Sequence, residues 1–131
     1  MNVVVADVLK LVVNTNSLTL ILGPVHGYLY NYGIFAEGQL TVTSNRSWGL
    51  TVHSSGPNLV NGTETVPVEN LNIGYMQGIA LSTLPQSLAF SQPPVQGENL
   101  TLVYSVAMSN QAFLKPGGTY STTLTYMIAY E

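Results

Sequence analysis

Along most of this chain apolar and polar residues alternate with a period of two, the spacing that turns one face of an extended strand inward. Gln39–Thr43 sets Leu40 and Val42 against Thr41 and Thr43. After the polar break Ser44-Asn45-Arg46-Ser47, Trp48, Leu50 and Val52 alternate with Gly49, Thr51 and His53, which predicts a hairpin. Asn99–Met108 places Leu100, Leu102, Tyr104, Val106 and Met108 on one face, and Thr119–Tyr130 does the same with Tyr120, Leu124, Tyr126, Ile128 and Tyr130. Leu18–Leu22 and Val25–Phe35 alternate too, the latter with Tyr28, Tyr30 and Tyr32 in one row. Turn signals separate these runs at Gly23-Pro24, Gly56-Pro57, Asn61-Gly62 and Pro116-Gly117-Gly118, Asn-Gly being a strong hairpin signal. Val66–Ile73 contains Pro67 and reads as an edge strand or a connector. Gly74–Gly97 is the least regular stretch, and one helical turn over Ser82–Ala89 is the single helical feature expected. About eight short strands with regular turn signals predict an all-β, antiparallel sandwich of immunoglobulin-like or jelly-roll-like kind.

One stretch breaks the alternation. From Val3 to Val13 one face of a strand would carry Val3, Val5, Asp7, Leu9, Leu11 and Val13, and the other Val4, Ala6, Val8, Lys10 and Val12. Both faces are mostly apolar, as in a strand covered on two sides. An exposed apolar strand of this length is an aggregation hazard unless something takes it up. The candidates to cover it are the subunit's own sheet, a membrane or the next subunit by strand addition; of these we expect the last, with residues 1–14 as an N-terminal donor strand and Val3, Val5, Leu9, Leu11 and Val13 inserted into a neighbouring subunit. The polar break Asn14-Thr15-Asn16-Ser17 then leads into a sandwich domain over 15–131.

Composition narrows the setting. The 131 residues include three basic and six acidic side chains, 7% charged, against about 25% in an ordinary soluble domain. Asn, Ser and Thr number 11, 11 and 13, so neutral polar groups carry solubility. That profile suits an extracellular or assembled β protein, exported with its signal peptide already removed. With a net charge of −3 and only Lys10, Arg46 and Lys115 to meet phosphates, no nucleic-acid partner is expected. Asp7 and Lys10 interrupt the first apolar run, so no membrane span is expected either.

Catalytic chemistry finds little footing. There is no cysteine, His26 and His53 lie on different predicted strands, and the six carboxylates are scattered. We expect no enzyme activity, no metal and no cofactor. Three segments, Asn45-Arg46-Ser47, Asn61-Gly62-Thr63 and Asn99-Leu100-Thr101, are glycosylation acceptor sequences. Tyr28, Tyr30, Tyr32 and Trp48 form a candidate aromatic contact surface for sugars, the tyrosine row being read first as packing within a sheet or between subunits.

Trp48-Gly49-Leu50-Thr51-Val52, Leu59-Val60-Asn61-Gly62-Thr63, Val68-Glu69-Asn70-Leu71, Pro116-Gly117-Gly118-Thr119-Tyr120 and Leu124-Thr125-Tyr126 resemble small secreted β-sandwich proteins. The chain is similar to the WxL cell-surface and coat-protein-U-like group, and to the donor-strand-exchanged filament subunits of archaeal and bacterial surface pili. The resemblance to filament subunits implies a fold completed by a neighbour's N-terminal strand. It also implies partners: identical subunits in a homopolymer, with surface glycans or other filaments beyond them, in adhesion or biofilm formation. The alternative expectations are a glycan- or cell-wall-binding module and a viral coat component.

Overall fold

Alternation produces the strands it predicts. In the computed structural model, which describes residues 1–15, 34–76, 78–106 and 120–131, the elements are β1 (Leu9–Val13), β2 (Ile34–Ser44), β3 (Trp48–Ser54), β4 (Asn58–Asn61), β5 (Glu64–Pro67), β6 (Asn72–Gly74), β7 (Gly78–Ala80), β8 (Gln86–Gln92), β9 (Val95–Val106) and β10 (Leu124–Tyr130). Among the described residues the one helical element is a single 3-10 turn at Val68–Asn70. The chain is an antiparallel all-β sandwich. One sheet has the order β1-β2-β9-β6-β7, the other β10-β3-β8, and β4 and β5 form a separate two-stranded hairpin.

The core lies between the two sheets. Leu40 and Val42 of β2 and Leu100, Leu102, Tyr104 and Val106 of β9 face Trp48, Leu50 and Val52 of β3 and Leu88 and Ala89 of β8, all buried. Ile73, Leu81, Val66 and Val68 complete the buried cluster. β1 and β10 lie against each other across the opposite edge, where Leu9, Leu11, Leu124, Tyr126 and Ile128 are half-buried against the core.

Two sequence expectations are corrected here. β2 and β3 do not form a hairpin: they belong to different sheets, and Asn45–Ser47 carries the chain from one to the other. Alternation shows that each strand turns one face to a core, which holds equally for strands side by side and strands face to face. The expected helical turn over Ser82–Ala89 is also absent, because Gln86–Gln92 is strand β8. Its register against β3 shifts twice, between Trp48 and Leu50 and between Leu50 and Thr51, so Leu88 and Ala89 are both buried and the period of two is lost.

The Asn-Gly signal holds. Asn61 pairs with Glu64 across the β4–β5 turn, and Gly62 has φ +61°, the positive value that a two-residue hairpin loop requires at its first central position and that glycine adopts without strain. Pro67 ends β5 and Val68–Asn70 turns into β6, so the Val66–Ile73 stretch is part strand and part connector. Tyr28, Tyr30, Tyr32, Met108 and the Leu18–Leu22 run lie outside the described residues.

Candidate functional site: the N-terminal segment and its latch

The expected donor strand divides at Val8. Leu9–Val13 stays with its own body, pairing antiparallel with β2 in the register Leu9↔Ser44 to Val13↔Leu40. Leu9 and Leu11 turn toward the core and are half-buried, whereas Lys10, Val12 and Val13 are exposed. The sheet therefore begins at Leu9, ahead of the boundary after Asn14 expected from the sequence. Met1–Val5 overshoots the sandwich, because β2 has ended at Ser44 before these residues could pair with it. Val3, Val4 and Val5 are 79%, 92% and 79% exposed.

Between the paired and projecting parts the chain is held by the turn that follows β2. The Val8 N–H donates to Asn45 Oδ1 at 2.9 Å, Asn45 Nδ2 donates to the Ala6 carbonyl at 2.9 Å, and the Asn45 N–H donates to the Val8 carbonyl at 3.2 Å. Asp7 pairs with the Arg46 guanidinium at 3.1 Å, and that guanidinium lies 4.4 Å from the centroid of the Tyr130 ring on β10. The turn is shaped locally by Ser44, whose hydroxyl donates to the Arg46 carbonyl at 2.7 Å. One asparagine thus holds the backbone on both sides of Asp7, and one arginine ties Asp7 to the far sheet. Below the latch the segment is held again, by Asn14 Nδ2 donating to Thr41 Oγ1 at 2.6 Å, by the Gln39 N–H donating to Thr15 Oγ1 at 2.9 Å, and by the Asn14 N–H on the Gln39 carbonyl at 3.0 Å.

These bonds fix which backbone groups of β1 are used. In an antiparallel ladder hydrogen-bonded pairs alternate with non-bonded ones. The Asn45 N–H to Val8 and Asn14 N–H to Gln39 bonds place residues 8, 10, 12 and 14 in the bonded pairs. Leu9, Leu11 and Val13 therefore aim their N–H and C=O groups at the outer edge of the sheet. Among the described residues no strand pairs with this edge, which carries apolar inward side chains, the arrangement that accepts another strand.

The other expected site residues fall apart from this one. Trp48 is corrected: it is 1% exposed, packed in the core, with its indole N–H donating to the Pro93 carbonyl at 2.9 Å, so it offers no contact surface. Asn61 sits half-buried at the β4–β5 turn. Asn99 is exposed on β9, with Oδ1 accepting from Thr41 Oγ1 at 2.7 Å. Asn45 is exposed, but both its amide atoms serve the latch. Among the described residues His53 Nδ1 is buried without a hydrogen-bond partner, and no three His, Asp or Glu side chains gather to hold a metal. Nor, among the described residues, is any helix long and apolar enough to cross a membrane. His26 lies outside the described residues.

One polar pair inside the sandwich escaped sequence reasoning. The hydroxyls of Tyr104 on β9 and Tyr126 on β10 hydrogen-bond across the two sheets. Burial raises the Tyr104 phenol pKa above 10.0, against a lowering by its bond to Tyr126. Burial is also the largest cause of the strong rise at Tyr126, followed by the bond to Tyr104 and the repulsion a second phenolate would bring.

No protein-family model matches the chain, and no curated protein is significantly similar to it.

Proposed function

We propose that this protein is the repeating structural subunit of an extracellular filament, joined to identical subunits through its N-terminal segment, with adhesion or biofilm formation as the role. The observation that carries this reading is the projecting Met1–Val5 segment, whose three valines are almost fully in water although β-branched apolar side chains favour a covered sheet surface. Burying three such side chains against a second subunit releases about 1.5 kcal/mol or more for each. Ordering five residues opposes this by about 1–2 kcal/mol per residue, so the valines alone do not hold the joint and backbone pairing has to add to them. The sparse charge of the chain, 7%, suits a surface that spends its life against copies of itself.

Deletion of Met1–Val5 tests the reading cleanly, because none of these residues makes a described hydrogen bond with the body. Sedimentation velocity and negative-stain microscopy of the intact chain should show polymers. The shortened chain should remain a folded monomer with an unchanged thermal midpoint. An undiminished yield of fibres from it would refute the proposal.

A further inference from the structure

We propose that Asn61 is a site of spontaneous covalent change: its side chain loses ammonia to the main-chain nitrogen of Gly62, and the charge so created loosens the β4–β5 hairpin from Ser121. The inference does not depend on the filament reading. It starts from what the hairpin loop leaves free. Asn61 and Glu64 close the hairpin as register partners, so Gly62 and Thr63 form a two-residue loop, and both are exposed. Among the described residues neither the Gly62 N–H nor the Asn61 side chain makes a hydrogen bond. Nucleophile and electrophile are thus adjacent in the chain and unengaged. A Cβ added at Gly62 would meet no atom within 4 Å, so nothing from the body crowds the approach, and glycine has no β-carbon of its own to obstruct it.

The bonds made and broken balance with water alone. The Gly62 nitrogen attacks Asn61 Cγ, its proton leaves with Nδ2 as ammonia, and a five-membered succinimide ring closes. Water then opens the ring at either carbonyl. Attack at Cγ breaks the new N–C bond and leaves aspartate. Attack at the main-chain carbonyl carbon breaks the original peptide bond and leaves isoaspartate, with Gly62 carried on the former side chain. Ring closure requires rotation about the Asn61 Cα–C bond, which disturbs a hairpin of only four pairs lying outside both large sheets, and two-stranded units of that size open readily. Asn14, Asn45 and Asn99 lack these advantages. Each is held by a side-chain hydrogen bond, and each is followed by a residue with a β-carbon, whereas Asn61 is the only asparagine in the sequence followed by glycine. Either product sets a carboxylate opposite Glu64, and like charges directly opposite each other destabilise an antiparallel pair. Isoaspartate also lengthens the main chain by one methylene beside Val60, whose N–H and C=O bond to Ser121 at 2.9 and 3.1 Å. The same step removes the amide of the acceptor sequence Asn61-Gly62-Thr63.

Incubation of the intact folded chain in mildly alkaline buffer, after production in a host that does not glycosylate, tests the site by peptide mapping. The peptide holding Asn61 should gain about one dalton and split into two isomers, at a rate that rises with pH because the attacking nitrogen must lose its proton. Peptides holding Asn45 and Asn99 should stay unchanged, and Asn61→Gln should abolish the conversion. Conversion in guanidinium chloride but not in the folded chain would overturn the proposal, since the loop would then forbid the attack. Equal conversion at Asn45 and Asn61 would overturn it too, because the free loop would then confer nothing. In the converted chain the Val60 and Ser121 amides should exchange with solvent faster than in the parent, and Glu64→Gln should reduce the difference. Unchanged exchange at both amides would overturn the loosening.

Discussion

The phenol pair of Tyr104 and Tyr126 joins the two sheets at the edge where β1 and β10 meet, and its titration should be visible in the stability of the whole chain. Both groups are held above the ordinary value of 10.0 by burial. A group whose pKa is higher folded than unfolded contributes fully below the unfolded value and loses that contribution as pH rises past it. Denaturation midpoints should thus hold steady up to about pH 10 and then fall, and Tyr126→Phe should weaken that alkaline loss while lowering neutral-pH stability by about 1–2 kcal/mol for the unpaired Tyr104 hydroxyl. Equal alkaline loss in variant and parent would show that the pair does not carry it. Gly38 belongs to the same arrangement. A Cβ there would stand 2.9 Å from Cε2 of Tyr104, so Gly38→Ala must push the ring aside, with an expected loss of about 1–3 kcal/mol in chemical denaturation.

At the level of elements, the connection from β2 to β3 does two jobs. It passes the chain between sheets, and its Asn45 and Arg46 hold the root of the N-terminal segment. Asn45→Ala removes two side-chain hydrogen bonds and should speed exchange of the Val8 amide, with a stability change of about 1–2 kcal/mol. Arg46→Ala removes an ion pair whose partners are 52% and 56% exposed, so its effect should be at most about 1 kcal/mol and should fade with added salt. Unchanged exchange at Val8 in Asn45→Ala would show that the latch holds nothing. The inward rows of β2, β3, β9 and β10 were legible in the sequence because each keeps strict alternation over four or more residues. Which strand lies beside which was not legible, since Leu40 and Trp48 would read the same in a hairpin or face to face. The register shifts hid β8, and the latch was invisible because Ser44-Asn45-Arg46-Ser47 has the composition of any polar turn. Trp48 misled for a related reason: an aromatic on an alternating strand reads as a contact surface or as core, and here Trp48→Ala should cost about 3–5 kcal/mol of folding stability.

For the whole molecule, the acceptor sequences sort by what their amides already do. Asn61 and Asn99 stand at a turn and on an exposed strand face, and Asn99 keeps its Nδ2 clear of the bond its Oδ1 accepts from Thr41. In Asn45 both amide atoms are engaged with Ala6 and Val8. Material from a glycosylating host should therefore show an intact mass above that of the polypeptide, lowered by Asn61→Gln and Asn99→Gln and little changed by Asn45→Gln. A mass equal to the bare chain would remove the glycan expectation and leave the joint untouched.

The pairing of β2 with β9 sets the order in which this molecule can be born. β2 begins at Ile34 and its partner residue is Val106, so the two longest strands join parts of the chain that lie far apart in sequence. Pairings so distant in sequence make folding slow, in the range of milliseconds to seconds. Until β9 pairs with it, β2 has only β1 beside it among the described strands, and the edge on which β1 closes lacks its support. The valines of Met1–Val5 remain uncovered even when both pairings are complete, so they stay open to a neighbour from before folding until after it.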